Sequence, residues 1–440
     1  MDVTEIMNAQ PDNALLQSIS KNKNNEVESY EGGRCRFCGT PLTETFVDLG
    51  MSPPCNRMVK PHQRNEMEMY YPLHTFVCSS CFLVQIQEYI SPAYIFDDYT
   101  YFSSFSTSWL EHARRYSQMI VDRLKLNTNS FVVEIASNDG YLLQNFVQAG
   151  IPCLGVEPAA NVAEVAIAKG IPSVVKFFGK ETALQLLNDA KAADLIIGNN
   201  VLAHVPNIND FVSGMKILLK ATGVITMEFP HLMCLMDQHE FDTIYHEHFS
   251  YLSFMTVQRI FAAHGLTLFD VDEIPTHGGS LRIYARHSEN GNHPVSARVI
   301  DLLKREIEYG LDNLEAYANF ASKCQEVRYT LLEFLIQAKR RGNHVVGYGA
   351  PGKGNTLLNY CGIREDLLQY TVDRSPYKQN MLLPGTHIPV FAPEKIAETK
   401  PDYVLILPWN LKDEIMEQMD MIRAWGGQFV VPIPEVRVYS

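Results

Sequence analysis

Between about residues 130 and 290, short β-branched runs alternate with stretches of helical periodicity. SFVVEIA, CLGVEP, DLIIGNN, GVITMEF and SLRIYAR read as strands, and NDGYLLQNFVQAG, NVAEVAIAKG and DFVSGMKILL between them read as amphipathic helices. That alternation predicts βαβ units and a mostly parallel sheet. After a long helical stretch from about 297 to 341 a second series follows, with HVVGYGAPGKGNTLLNY, YTVDRSP, PDYVLILPWN and FVVPIP, so two nucleotide-binding-like sheets are expected. Ahead of both, RCRFCG at 34–39 and HTFVCSSC at 74–81 bracket a loop-rich stretch that suits a small cysteine ribbon. The aromatic and hydroxyl-rich segment SPAYIFDDYTYFSSFSTSW then marks a boundary near residue 90.

A chain of 440 residues exceeds what a single core ordinarily supports and fits two or three domains. The net charge of −13 speaks against a long contact with a phosphate backbone, which needs clustered Lys and Arg. The first thirty residues are polar, with no apolar segment behind a basic start, and read as a frayed leader rather than a signal peptide. No run of about eighteen consecutive apolar residues occurs, so no membrane span is expected. Nine cysteines without a secretion signal suit cytoplasmic thiols, some of them on a metal, better than a disulfide framework. The paired spacing of Cys35 with Cys38 and Cys78 with Cys81 suits a closed, structural four-thiolate zinc site. Cys55, between the pairs, reads as a spare.

Glu134 ends a predicted strand, and Ser137, Asn138, Asp139 and Gly140 follow in a turn that opens a helix. Such a turn lets backbone amides approach a ligand, and it suits the first loop of a class I methyltransferase. It is not a G-x-G-x-x-G. About twenty residues later Glu157 and Pro158 end the next strand, placing a carboxylate where it can accept both ribose hydroxyls. Phe178 could flank the adenine, although phenylalanines near a strand are more often core, and Asn199 and Asn200 end the fourth strand facing the crevice. The run Tyr245-His246-Glu247-His248, with His204 upstream, lacks the H-E-x-x-H spacing of a helical zinc motif. It suits abstraction of a proton next to a carbonyl by Tyr245, Glu247 or His248; for any one histidine a hydrogen-bonding place in the core is the alternative.

These residues resemble the sugar C-methyltransferases that act on nucleotide-linked 4-keto-deoxyhexoses. The resemblance runs from about residue 34 to 440 and is carried by CRFCG with CSSC, DYTYFSSFS, EIASNDGYLLQ, GVEPAANVA, NNVLAHV, IYHEHFSYLS, HGGSLR, GYGAPGKGNTLLNY, VDRSPYKQ, PGTHIPV and LPWN. It implies an α/β fold in which a class I methyltransferase Rossmann-like sheet is flanked by a zinc-binding N-terminal domain and a second Rossmann-like α/β domain. The expected division is a polar disordered leader at 1–33, zinc-binding domain at 34–90, S-adenosylmethionine domain at 91–300 and sugar-nucleotide domain at 301–440. His248 is similar to the family's base, with Tyr99, Asn200, His204, Tyr245 and Glu247 around the sugar. Tyr101, Ser103, Lys353, Asn355, Trp409 and Asn410 are expected against the rest of the substrate, Lys353 or its glycine-rich loop meeting the pyrophosphate. The implied cofactors are S-adenosylmethionine and structural Zn2+, and a monomeric cytoplasmic enzyme without nucleic-acid or membrane partners is expected. A nicotinamide-dependent sugar-nucleotide oxidoreductase, a sugar O-methyltransferase and a zinc-ribbon adaptor are the competing readings.

Overall fold

The computed structural model describes residues 33–96, 102–189 and 192–440. In its first part each C-x-x-C pair closes a tight turn, the Gly39 amide donating to the Cys35 carbonyl and the Phe82 amide to the Cys78 carbonyl, both at 2.9 Å. The residue after each pair must enter the left-handed region. Gly39 does so freely at φ 76°, whereas Phe82 does so with a side chain, at φ 62°. Its ring lies 6.3 Å from that of Tyr317 and 5.6 Å beneath the Arg259 guanidinium, contacts that offset the backbone cost. Strands β1 (Glu44–Ser52), β2 (Tyr71–Val77) and β3 (Val84–Ile86) pair antiparallel around these turns.

The central apolar runs form β4 (Val132–Ile135), β5 (Cys153–Glu157), β6 (Ser173–Val175), β7 (Ala193–Asn199) and β8 (Leu219–Pro230), all parallel. The chain then leaves this sheet. β9 (Ser250–Tyr251) pairs antiparallel with β3, Val84 opposite Tyr251 and Gln85 opposite Ser250. It returns as the hairpin β10 (Leu266–Ile274) and β11 (Ser280–His287), giving the order β10-β11-β8-β7-β4-β5-β6 with β11 antiparallel to β8. Helix α1 (Thr107–Leu124) starts at Ser106, whose hydroxyl accepts from the Trp109 amide at 3.2 Å. It buries Ala113, Tyr116 and Ile120 against the sheet, with the Tyr116 hydroxyl 2.5 Å from Thr226 Oγ1.

Helices α2 (Ala297–Tyr309) and α3 (Phe320–Arg340) lead to the last sheet. β12 (Val345–Tyr348), β13 (Thr371–Val372), β14 (Val390–Phe391), β15 (Tyr403–Ile406), β16 (Gln428–Val431) and β17 (Arg437–Tyr439) take the order β14-β13-β12-β15-β16-β17. Only β17 runs antiparallel to its neighbour, so this sheet is mixed where a parallel series was expected. Helix α4 (Gly352–Cys361) follows β12. Phe320 of α3 stacks on Phe46 of β1 with ring centroids 4.5 Å apart, and one set of buried side chains runs through all three sheets. Burying a ring of that size stabilises by roughly 1.5–3 kcal/mol. Among the described residues no helix is long and apolar enough to cross a membrane.

Candidate active site and zinc centre

Cys35, Cys38, Cys78 and Cys81 bring their four sulfurs within 4.8 Å of one another. Cys35 to Cys81 and Cys38 to Cys78 are both 3.5 Å, and Cys38 to Cys81 is 3.6 Å. A tetrahedral zinc with bonds of about 2.3 Å sets its thiolates about 3.8 Å apart, so the four fit the ion. Gln85 Nε2 donates to Cys35 Sγ at 3.2 Å and the Ser80 amide to Cys78 Sγ at 3.4 Å, support that suits thiolates. All four side chains are buried, which leaves no open coordination position and makes the site structural.

At the carboxyl end of β4 the Glu134 carboxylate is fully buried and neither oxygen has a partner among the described residues. Burial, with Glu157 and Asp139 nearby, pushes its pKa well above the carboxylate range. The chain then turns through Ala136 (φ 56°), Asn138 (φ 49°) and Gly140 (φ 78°). A side chain at Gly140 would be strained by the left-handed φ and would displace the Ile171 side chain, whose Cδ1 would lie 2.2 Å from a Cβ there. Glu157, ending β5, accepts from the Asn138 and Ala159 amides, each at 2.9 Å, and each of its oxygens keeps a lone pair for a ligand hydroxyl. Pro158 flanks it, partly exposed. Ser137 Oγ, Asp139 Oδ1 and both amide atoms of Asn199, on the same strand-end turns, are buried without partners among the described residues. Orphaned acceptors beside unpaired buried carboxylates fit a ligand that brings positive charge and hydroxyls, as S-adenosylmethionine does. Phe178 packs edge-on to Phe211 at 5.5 Å, a core contact.

The acid-base run follows β8. His248 Nδ1–H donates to the Thr243 carbonyl at 2.9 Å, which fixes the tautomer and leaves the lone pair on Nε2. Burial and the neighbouring His204 hold its pKa well below the ordinary histidine value, so the ring is neutral. Tyr245 and His204 flank it with ring centroids 4.0 and 4.6 Å away. His204 is itself pushed down to about 4 by burial. Glu247 points the other way: its Oε1 accepts from Asn56 Nδ2 at 2.7 Å and faces the Cys55 thiol at 3.8 Å, and burial pushes its pKa up to about 6. His246 takes the core alternative, its Nε2 against the Pro72 carbonyl at 3.2 Å. Asn200 sits at φ 53°, its Nδ2 donating to His277 Nε2 at 3.1 Å.

Three family models divide the chain. One described as "Putative zinc binding domain" matches residues 35–96, a methyltransferase domain matches 109–271, and a C-methyltransferase C-terminal domain matches 275–434. C-methyltransferase NovU of Streptomyces niveus is 35% identical over 406 residues, spanning 92% of this chain and 96% of that one. The chain belongs to the C-methyltransferase family. This C-methyltransferase depends on S-adenosylmethionine and carries a four-cysteine zinc site. Among solved structures, the PH0226 protein of Pyrococcus horikoshii OT3 aligns with 46% of the chain and 99% of its own length (15% identity, TM-score 0.35). Magnesium protoporphyrin IX methyltransferase of Synechocystis PCC 6803, solved with bound S-adenosylmethionine, aligns with 41% and 82% (15% identity, TM-score 0.31).

The C-methyltransferase arranges several of the expected substrate residues differently. Ser103 lies on the cofactor loop, its amide donating to Asn138 Oδ1 at 2.9 Å, while the Ser104 hydroxyl bonds Asp139. Tyr99 and Tyr101 fall outside the described residues. The glycine-rich turn before α4 is not an open anion cradle. Cys55 Sγ would lie 2.9 Å from a Cβ on Gly352, and the Cys55 carbonyl accepts from Asn355 Nδ2 at 2.6 Å. Lys353 lies over the Trp409 ring at 4.5 Å and donates to Asn410 Oδ1 at 2.9 Å. Burial lowers its pKa, opposed by Asp242 and Glu240, whose own values burial pushes up to about 6 and about 8. Trp409 Nε1 donates to Asp242 Oδ2 at 2.7 Å, closing this inter-domain cluster. Asn56 and Asp242 had no signal as single residues; Cys55, taken for a spare, buttresses both Glu247 and α4.

Proposed function

We propose that this C-methyltransferase methylates carbon 3 of a nucleotide-linked 4-keto-deoxysugar through an enolate, with His248 as the base. The observation that carries this reading is the His248 ring: neutral, held by Thr243 at Nδ1, which leaves the lone pair on Nε2, and packed beside His204 and Tyr245. Bound along Glu134, Ser137, Asn138, Asp139, Gly140 and Glu157, S-adenosylmethionine would supply a sulfonium methyl. His248 Nε2 takes the proton next to the ketone, and the C–H electron pair moves into the carbon–carbon bond as charge gathers on the ketone oxygen. His204 and Tyr245 hold the imidazole, and Glu247 keeps the turn docked on the zinc-binding part. The sugar nucleotide lies between the 91–300 and 301–440 parts, with Lys353, Trp409 and Asn410 on its far wall.

A 4-ketone acidifies the C–H bonds of both its neighbours, carbons 3 and 5, and the family resemblance selects carbon 3. Incubating the protein with dTDP-4-keto-6-deoxyglucose in deuterium oxide should wash deuterium into carbon 3, and His248→Ala should stop it. Exchange at carbon 5 would move the methyl there. Undiminished exchange in His248→Ala would remove the base assignment, and methylation without any exchange would point to an oxygen acceptor. Lys353→Ala is expected to raise KM for the sugar nucleotide; an unchanged KM would take that residue off the substrate.

A further inference from the structure

The H-G-G-S turn between β10 and β11 has no part in the chemistry above, yet it reaches the same crevice. His277 adopts φ 58°, left-handed for a residue with a side chain, and is followed by Gly278 at φ 95° and Gly279 at φ 134°. The turn is pressed down at every other position. A Cβ on Gly278 would lie 2.0 Å from Glu240 Oε1, and one on Gly279 would lie 2.8 Å from Cys234 Sγ. Thr276 Oγ1 donates to Glu228 Oε1 at 3.2 Å, and the Gly279 carbonyl accepts from the His231 amide at 3.0 Å. The strain therefore serves one side chain, the imidazole of His277, which the turn lifts towards the crevice.

That imidazole meets a second strained residue. Asn200, left-handed at φ 53°, donates from Nδ2 to His277 Nε2 at 3.1 Å, so the ring carries its proton on Nδ1. Nδ1 has no hydrogen-bond partner among the described residues and is not sealed in the core, so the N–H is open to a ligand. Trp109 covers the ring at 5.5 Å between centroids. Burial and the Lys353 ammonium hold the ring neutral, its pKa down at about 4. Its partner Asn200 leads directly into the 202–204 turn, whose His204 packs on His248 at 4.6 Å, so one short segment links the two histidines. A neutral donor costs no proton and is suited to a developing oxyanion.

We propose that His277 is a catalytic residue of this enzyme, its Nδ1–H donating to the substrate oxygen that becomes an enolate when His248 removes the neighbouring proton. This rests on the enolate reading above. The proton passes from carbon to His248 Nε2 and the C–H pair forms the carbon–carbon double bond. The carbonyl π pair moves onto the oxygen facing His277, which keeps its own proton throughout. When the carbon takes up the methyl, the oxygen returns its pair to the carbonyl and the sulfur leaves as a thioether.

Two substitutions separate the donor from the backbone. His277→Gly satisfies the left-handed φ and removes the N–H, while His277→Asn tolerates the same φ and restores an amide N–H near the place of Nδ1. The readout is solvent deuterium exchange into dTDP-4-keto-6-deoxyglucose without S-adenosylmethionine, with cofactor affinity measured separately by calorimetry. Exchange should fall about 100-fold in His277→Gly and recover to within about tenfold of the unchanged protein in His277→Asn. Cofactor Kd should be the same in all three. Exchange in His277→Gly at the unchanged rate overturns the role of His277 alone, and equal loss in both variants reduces it to a structural part. No exchange in the unsubstituted protein overturns the enolate reading itself.

Discussion

Glu134 is ionisable, buried and without a partner, so its charge depends on what lies beside it. Its raised pKa favours the protonated form in the free protein, and a sulfonium or ammonium group in the crevice favours the carboxylate. Binding S-adenosylmethionine should therefore release up to one proton, and affinity should rise with pH by up to about tenfold per unit below the free-state pKa. Calorimetry in buffers of different ionisation enthalpy checks this. S-adenosylhomocysteine, lacking the sulfonium charge, should release less, and Glu134→Gln should release none from this position. A buffer-independent heat would mean that Glu134 stays protonated. The spacing of Glu134 and Glu157 was legible because the first βα turn and the second strand end are local features of the chain. His277 was not, since its use depends on meeting Asn200, 77 residues earlier in sequence.

Among elements, the loop after β1 does more than join two knuckles. It carries Cys55 and Asn56 to Glu247 and to the start of α4, so the zinc-binding part reaches into the acid-base run. Asn56 lowers the Glu247 pKa against burial, with Cys55 also bonding it and Lys378 supplying positive charge. Asn56→Ala should move the Glu247 ionisation upward by about one unit, the worth of a hydrogen bond to a carboxylate. If Glu247 acts ionised, the acid limb of kcat/KM moves with it, read as a pH–rate profile; an unmoved limb would mean that its ionisation is not felt in turnover. The cysteine pairs were legible from spacing alone. Cys55 stands outside the four-thiolate cluster, as its spacing suggested, but its buttressing contacts were not legible, since they lie 192 and 300 residues away. The Ser103 contact with Asn138 was hidden for the same reason, since an amide's partner leaves no mark on the side chain that carries it.

At the scale of the molecule, the central and C-terminal parts meet across buried charge. Lys353, Asp242, Glu240 and Trp409 come from both sides of that interface. Trp409→Phe removes the indole donor from a buried carboxyl whose other oxygen, Oδ1, already lacks a partner. It should cost about 1–3 kcal/mol of stability. Denaturant unfolding checks the cost, and S-adenosylmethionine affinity should be unchanged because the cofactor loop lies on the other wall. An unaltered midpoint would show that Asp242 protonates at no expense. The fold class was legible from the alternation of runs. The mixed character of the last sheet was not, since a segment such as VRVYS carries no sign of strand direction.

The two residues of β9 have a consequence for how such chains can be recombined. They begin two positions after His248 and complete a sheet whose other three strands lie before residue 90. A chimera that exchanged the first ninety residues for those of a relative would leave its own His248, the proposed base, tethered to a foreign strand, with a foreign loop against Glu247. Swapping the parts as cassettes should fail even where each donor is active, and grafts that carry the 241–251 segment together with the N-terminal part should be the ones that survive.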